Sequence, residues 1–351
     1  MSKYNSLGEL FTAIANAIRA KTGGTDPIVA EDFPEVIDEM KSGGEIEALT
    51  VSENGTYTPP EGVDGYAPVT VNVVPPASDI DALINGSITE ITSGATSIRP
   101  NSFRCAKTLS KISLPNAKNG YRDYSEGAFY DCTKLTDVFI PNLTRVDSSM
   151  FRGCTALEHI SFPNVSSLGS HAFYGCTSLK EVHLHENVDF LYNTGGNAFQ
   201  NCNALQSINM PKLTNLPSSC FMNCKSLVEG VFPLVTMIGS SCFQGCASLK
   251  KIDFHSDISS AGSYSAYSGC TNLTALIFRS ESKMATCIST GILDSTPILS
   301  GTGYIYVPRA LIEDYKAATN WVTFADQFRA LEDYTVDGTT TGELDESKVS
   351  L

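Results

Sequence analysis

Residues Phe151 to Pro163 read FRGCTALEHISFP, and the same phrase returns along the chain. Phe173 to Leu184 (FYGCTSLKEVHL), Phe199 to Pro211 (FQNCNALQSINMP), Phe221 to Pro233 and Phe243 to Phe254 repeat it. Counted from the aromatic, units begin at Phe103, Phe129, Phe151, Phe173, Phe199, Phe221, Phe243 and Tyr267, in steps of 26, 22, 22, 26, 22, 22 and 24 residues. Six residues after each aromatic stands a leucine: Leu109, Leu135, Leu157, Leu179, Leu205, Leu227, Leu249 and Leu273. One supersecondary unit repeated at this period is the signature of a stacked-repeat fold.

After the leucine, the pairs Ile160/Phe162, Val182/Leu184, Ile208/Met210 and Ile252/Phe254 alternate with period two. That period puts both side chains on one face of a short strand. Pro115, Pro141, Pro163, Pro211 and Pro233 then end the strand, because proline has no N–H to give to a ladder. A further apolar post, Val146, Leu168, Leu216 or Ile238, stands five residues before the next aromatic. A single turn of this kind cannot bury its own apolar face, whereas stacked turns share one core. The expected fold class is therefore mainly β, a solenoid with one short parallel strand per turn of about 22 residues, flanked by small helical elements at both ends.

The pattern over residues 98 to 308 resembles the BspA-type leucine-rich repeats of bacterial and phage surface proteins, whose units read like AFxxCxxLxxIxxP. The resemblance implies a right-handed solenoid used for binding. Two N-terminal stretches carry a second resemblance. ELFTAIANAIRAKTGGTDPIVAEDFPEVIDEM, from Glu9, and ENGTYTPPEGVDGYAPVTVNV, residues 53 to 73, are similar to segments of phage and prophage tail proteins. This second resemblance implies attachment to tail or baseplate proteins, localisation in a virion and, by analogy with tail fibres, a homotrimer.

The domain organisation follows from local signals. Residues 1–48 form a helical hairpin: Ser6-Leu7-Gly8-Glu9 is a capping box, and Leu10, Phe11, Ile14 and Ile18 follow at helical spacing. Residues 49–75 form a small β module, with a hairpin signal at Asn54-Gly55 and alternation of Val69, Val71 and Val73. Residues 76–308 are the solenoid, opened by an irregular turn around Leu83, Ile88, Ile91 and Ile98. Residues 309–334 read as a helical cap, with one helix over 310–319 and another from Phe324 to Leu331. Residues 335–351 are a polar tail, either a short hairpin at Asp337-Gly338 or disordered.

Charge argues about partners. The net −14 is held by the flanks: −5 over 1–48, −6 over 49–98, +2 over 99–308 and −5 over 309–351. No basic footprint for nucleic acid or anionic lipid is present. No apolar run reaches the eighteen or so residues of a membrane span, so membrane insertion is not expected. The N-terminal pattern is an amphipathic helix and not a signal peptide, so it gives no expectation of Sec export.

Of eleven cysteines, Cys132, Cys154, Cys176, Cys202, Cys224, Cys246 and Cys270 each stand three residues after the repeat aromatic. One position of one motif reads as a buried, reduced ladder. The spacing of Cys220/Cys224 and Cys242/Cys246 admits zinc, but Cys220 and Cys242 fill the small-residue slot of Ala128, Ala172 and Ala198. His159, His171, His183, His185 and His255 scatter over repeat positions and read as surface residues. No catalytic constellation stands out, and the chain is expected to be no enzyme and to need no cofactor. The longer steps instead add residues in three loops, AKNGYRDYSEG, HENVDFLYNTGGN and HSDISSAGSYSAY. These bring Tyr121, Arg122, Tyr124, Phe190, Tyr192, Asn193 and Tyr264, the mixture of aromatic, arginine and small polar residues that recognition loops use. They are the candidate receptor-binding residues, for a glycan or a protein on a host cell. The functional expectation is a phage or prophage tail adhesin; the alternative is a bacterial cell-surface adhesin of the same repeat family, and a polysaccharide-degrading enzyme ranks behind both.

Overall fold

The computed structural model describes residues 55–57, 69–73, 88–94, 96–98, 101–120, 127–186, 188, 190–191 and 196–349. The expected helical hairpin of residues 1–48 lies outside them. The chain divides into two compact units, Met1–Asn164 and Val165–Leu351. Both are built of parallel-strand turns, and the fold is mainly β, a parallel-strand solenoid with few helices.

The first unit carries β1 (Gly55–Tyr57), β2 (Val69–Val73), β3 (Ile88–Ser93), β4 (Ser97–Ile98), β5 (Lys111–Ser113), β6 (Asn119–Gly120), β7 (Asp137–Phe139), β8 (Arg145–Val146) and β9 (His159–Phe162). Its sheet runs β1-β2-β3-β5-β7. β3, β5 and β7 pair in parallel with Ile91, Ile112 and Val138 in register. β2 joins β3 in the antiparallel sense, and β1 joins β2 likewise. The open edge of the first turn is thereby paired, which removes a row of unmet backbone groups.

The second unit carries β10 (Ser167–Leu168), β11 (Glu181–Leu184), β12 (Phe190–Leu191), β13 (Asn215–Leu216), β14 (Glu229–Phe232), β15 (Met237–Ile238), β16 (Lys251–Phe254), β17 (Ala275–Phe278), β18 (Tyr304–Val307) and β19 (Phe328–Ala330). Its main sheet is β14-β16-β17-β18-β19, all parallel. A short second ladder accompanies it, with β10 on β12 and β13 on β15, so the apolar posts before each aromatic form rungs of their own.

Two readings are corrected here. The alternation Ile208/Met210 forms no ladder strand: Gln206 donates to Lys180 O at 3.1 Å and then pairing lapses. Ser207 and Asn209 flank Ile208, and such residues favour local hydrogen bonding over a pleated edge. The helix expected from Phe324 to Leu331 is a 3-10 turn to Gln327 followed by β19. The spacing of Phe324, Phe328 and Leu331 imitates a helical face, but Phe328 enters the core as a last parallel rung and its ring lies 5.7 Å from that of Trp321. The only described α-helix, α1 (Ile312–Ala317), buries Tyr315 beside it.

Inside the turns the repeat becomes physical. Phe103, Phe129 and Phe151 stack with ring centroids 5.2 Å apart in the first unit, and Phe173, Phe199, Phe221, Phe243 and Tyr267 stack at 5.3 to 5.9 Å in the second. Within each unit the aromatics donate their backbone N–H to the turn ahead, as Phe199 does to Cys220 O at 2.9 Å and Phe221 to Cys242 O at 2.8 Å. The motif cysteines donate to the turn behind: Cys154 Sγ to Phe129 O at 3.1 Å, Cys224 to Phe199 O at 3.1 Å and Cys246 to Phe221 O at 3.0 Å. Leucine and apolar pair fill the space between these columns, with Leu157, Leu227 and Leu249 fully buried.

Each turn also bends through left-handed backbone at the second residue after the aromatic. Cys105, Asp131, Gly153, Gly175, Asn201, Asn223, Gly245 and Gly269 all have φ between 55° and 75°. At Gly153 a side chain is excluded twice over, by φ of +75° and because a Cβ would stand 2.0 Å from Asp131 Oδ1 of the turn before. Where glycine is absent the side chain caps its neighbour, as Asn223 Nδ2 does by donating to Asn201 Oδ1 at 2.9 Å.

Candidate functional site

A solenoid turn shows solvent only the outward positions of its strand and whatever its loops add. In the first unit the outward positions carry Lys111, paired to Glu90 at 3.1 Å, then Asp137, Phe139 and His159. Phe139 is 57% exposed. In the second unit they carry Glu181, His183, Glu229, Val231 and Lys251. Lys251 Nζ lies 3.4 Å from Glu229. His159 and His183 stay at the surface beside Glu158 and Glu181, at 3.9 and 3.6 Å. No group of three histidine, cysteine or acidic side chains able to hold a metal occurs among the described residues.

Tyr121, Arg122 and Tyr124 of the first inserted loop lie outside the described residues, as do Tyr192 and Asn193 of the second. Phe190 belongs to β12, where its backbone pairs in register with Ser167. The third loop is described throughout. It is anchored by Ile258 and Ala261, both buried, and Ser260 bridges to Met237 on one side and Thr286 on the other. Ser256 Oγ donates to Val235 O. Above this base the chain turns sharply: Gly262 has φ of +113°, Tyr264 +28° and Ser265 +43°. A Cβ on Gly262 would stand 2.5 Å from that of Ala266, so the turn admits no side chain there.

Tyr264 projects from that turn with 71% of its surface exposed. Its carbonyl accepts from Ser241 N at 3.1 Å, and the hydroxyls of Ser263 and Ser240 are 2.7 Å apart. A large ring in positive-φ backbone is uncommon and costs free energy. The anchored backbone fixes where the ring leaves the turn, and the ring is offered to solvent near the paired hydroxyls of Ser263 and Ser240. Tyr267, three residues on, is buried in the aromatic column, which removes it from any contact surface.

Cys132, Cys154, Cys176, Cys202, Cys224, Cys246 and Cys270 are all buried, and every one of the eleven cysteines is a free thiol. Burial pushes the Cys132 thiol up to about 12 and the Cys287 thiol up to about 11, and it raises Cys202, Cys220 and Cys246 as well. Thiolate is the reactive form, so this ladder is built for packing. Cys220 and Cys242 sit in the small-residue slot with no exposed surface.

Sequence reasoning missed the site at the C-terminal end of the ladder. Asp253, an outward position of β16, is 5% exposed, and Arg279 is 6% exposed. Their fork-to-fork pair is bidentate, Nε to Oδ1 at 2.7 Å and Nη2 to Oδ2 at 2.8 Å. Burial opposes the Asp253 charge, but hydrogen bonds from His255 and Arg279 outweigh it and hold the carboxyl below its ordinary range. The signal was present: outward positions of the last strands read Ala275, Ile277 and Tyr306, with no charge among them, where earlier turns carry Asp137, His159, Glu181 and Glu229.

The repeats match the model of the BspA type leucine rich repeat region in 6 copies, over residues 83–195 and 192–302. The chain belongs to this family. BspA-type membership covers the repeats and leaves the N-terminal segments aside. No curated protein matches the chain. Among solved structures it is similar to the Treponema pallidum leucine rich repeat protein TpLRR, with 21% identity, a TM-score of 0.37 and coverage of 62% of this chain and 91% of that one. A leucine rich cell surface protein of Faecalibacterium prausnitzii matches at 17% identity and TM-score 0.35, covering 79% and 94% of the two chains. The pneumococcal vaccine antigen PcpA matches at 13% identity and TM-score 0.37, covering 80% and 98%. No helix among the described residues is long and apolar enough to cross a membrane.

Proposed function

We propose that this BspA-type protein is a cell-surface adhesin that recognises a glycan or protein on an opposing cell through side chains displayed by its solenoid. The observation that carries the reading is Tyr264, 71% exposed on a tightly anchored left-handed turn. Tyrosine is among the residues on which recognition surfaces concentrate their energy. The family match lies on the repeats and supports the surface adhesin. A phage tail adhesin, attached as a trimer through residues 1–75, is supported by the resemblance of the N-terminal segments alone.

The test has two arms. Membrane-impermeant biotin applied to intact producing cells should label the protein; recovery only with sedimenting virions would overturn the surface reading in favour of the tail reading. In a cell-adhesion assay with the labelled full chain, Tyr264→Ala should weaken binding by roughly 1–3 kcal/mol. Glu158→Ala and Gln206→Ala, at regular turns, should stay within about 0.5 kcal/mol. Equal effects at all three positions would remove the loop from the site.

A further inference from the structure

The outward face of the ladder changes character at its end, and the chain itself explains why. From Thr335 the chain turns at Asp337-Gly338, where Gly338 has φ of +69°, and returns so that Thr335 bridges Leu344 in the antiparallel sense. Val336 N donates to Glu343 O at 2.9 Å, and Asp345 N to Tyr334 O at 2.8 Å. Leu344 and Val349 lie on the cluster of Ala275, Ile277, Tyr306 and Leu331. The last fifteen described residues thus cover β16, β17 and β18.

The grip is polar and specific. Half of the buried Arg279 fork holds Asp253, while Nη1 donates to Thr340 O at 2.7 Å and Gly342 O at 2.9 Å. Glu281 accepts from the Thr340 hydroxyl. Lys251 Nζ donates to Glu346 Oε1 at 3.0 Å. The covering segment reads TVDGTTTGELDESKV and has three aliphatic residues, of which Val336 is 72% exposed. So little apolar burial places it at the low end of local stability, where segments open without unfolding what lies beneath. What it contacts, by contrast, is a formed surface: an apolar floor, a guanidinium aimed at backbone carbonyls, and an ammonium aimed at a carboxylate.

We propose that residues 335–349 are a releasable strap over a peptide-binding face made by β16 to β18, and that the uncovered face takes an acidic, turn-forming peptide of a partner in the strap's place. The partner chemistry copies the strap: two carbonyl groups, two residues apart, for Arg279, a carboxylate for Lys251 and two aliphatic side chains for the floor. The face reads such a peptide through side chains, with Arg279 on its carbonyl groups and Lys251 on its carboxylate. This site is separate from Tyr264 and stands or falls independently of the adhesin reading.

The probe is a fluorescein-labelled synthetic peptide of residues 335–349. The protein is the full chain, unaltered and with the strap loosened by Leu344→Asp and Val349→Asp. Anisotropy should show the loosened chain taking up the peptide about tenfold or more tightly than the unaltered chain, a difference of about 1.4 kcal/mol. Lys251→Glu in the loosened chain should weaken uptake, and a peptide with Glu346→Lys should restore it. Hydrogen exchange supplies the control: strap amides should exchange ahead of those of β17 in the unaltered chain, and β17 should stay protected in the loosened one. Loss of β17 protection on loosening, exchange of both segments at one rate, or protection without peptide uptake would each overturn the proposal.

Discussion

At the scale of single residues, the repeat is a set of columns whose members are interchangeable only if their polar atoms are met. Tyr267 continues the phenylalanine column with a hydroxyl that has no hydrogen-bond partner among the described residues. A buried unmet donor costs about 1–3 kcal/mol. Tyr267→Phe should therefore raise stability by about 1 kcal/mol, read as a higher urea midpoint at unchanged slope; a lower midpoint would mean the hydroxyl is satisfied. The cysteine column shows what sequence could and could not tell. Its period places the thiols inside, but nothing in a period says that each Sγ–H meets the carbonyl of the aromatic one turn back. Nor does propensity announce the left-handed backbone at Ser149, His171, Ser219 and Ser241, all with φ of 53° to 56°. There the closure of the turn overrides the residue's own preference, so the position is fixed by geometry and not by type.

At the scale of elements, strands were legible and ends were not. Alternation marked β9 and β16, and a closing proline marked β9 and β14, because one face of each is buried in the core that stacked turns share. The C-terminal elements answer to partners distant in sequence. Phe328 became β19 because β18 offered an open edge, and residues 335–349 folded because Arg279, over 50 residues earlier, holds Thr340 and Gly342. Arg279 is also what keeps Asp253 tolerable inside. Arg279→Leu leaves that carboxylate buried and unmatched, and should cost about 3–5 kcal/mol at neutral pH. The folded Asp253 titrates below its ordinary value. The stabilisation is therefore present above the unfolded aspartate pKa of about 3.9 and lost as pH falls through the folded one. Urea midpoints of parent and variant should accordingly converge below about pH 4, and a gap that persists in acid would point to packing and not charge.

At the scale of the whole molecule, the buried thiols act together. Cys132 is raised to about 12, Cys287 to about 11, and Cys202, Cys220, Cys224, Cys242 and Cys246 are raised as well, in each case chiefly by burial. A thiol whose folded pKa is raised stabilises fully below its unfolded value, and that contribution is lost as pH climbs toward the folded one. Each such group should steepen the loss of stability above about pH 8.5 by roughly 1.4 kcal/mol per pH unit. Unfolding midpoints at pH 8, 9 and 10 measure the slope, and Cys132→Ala should remove one thiol's share. A flat profile would mean that water reaches the ladder in the native state. The flanks' negative charge and the near-neutral repeats were read directly from the sequence. The function of residues 1–48 was not, since a helical pattern says nothing about what it docks against.

The direction of the inter-turn bonds has a consequence for the length of the repeat array. From Phe199 to Cys246 each aromatic N–H looks forward and each motif thiol looks back by one turn, so the seams between these turns are chemically alike. Excising Phe221 to Cys242, one period of 22 residues, joins Cys220 to Phe243 and leaves the Phe199 amide still facing Cys220 O. The orphaned Cys246 thiol then finds the Phe199 carbonyl that Cys224 had used. A chain shortened by that one period should therefore still fold, and circular dichroism of the excised protein checks it. The length of the repeat array is thus separable from the structure of its ends.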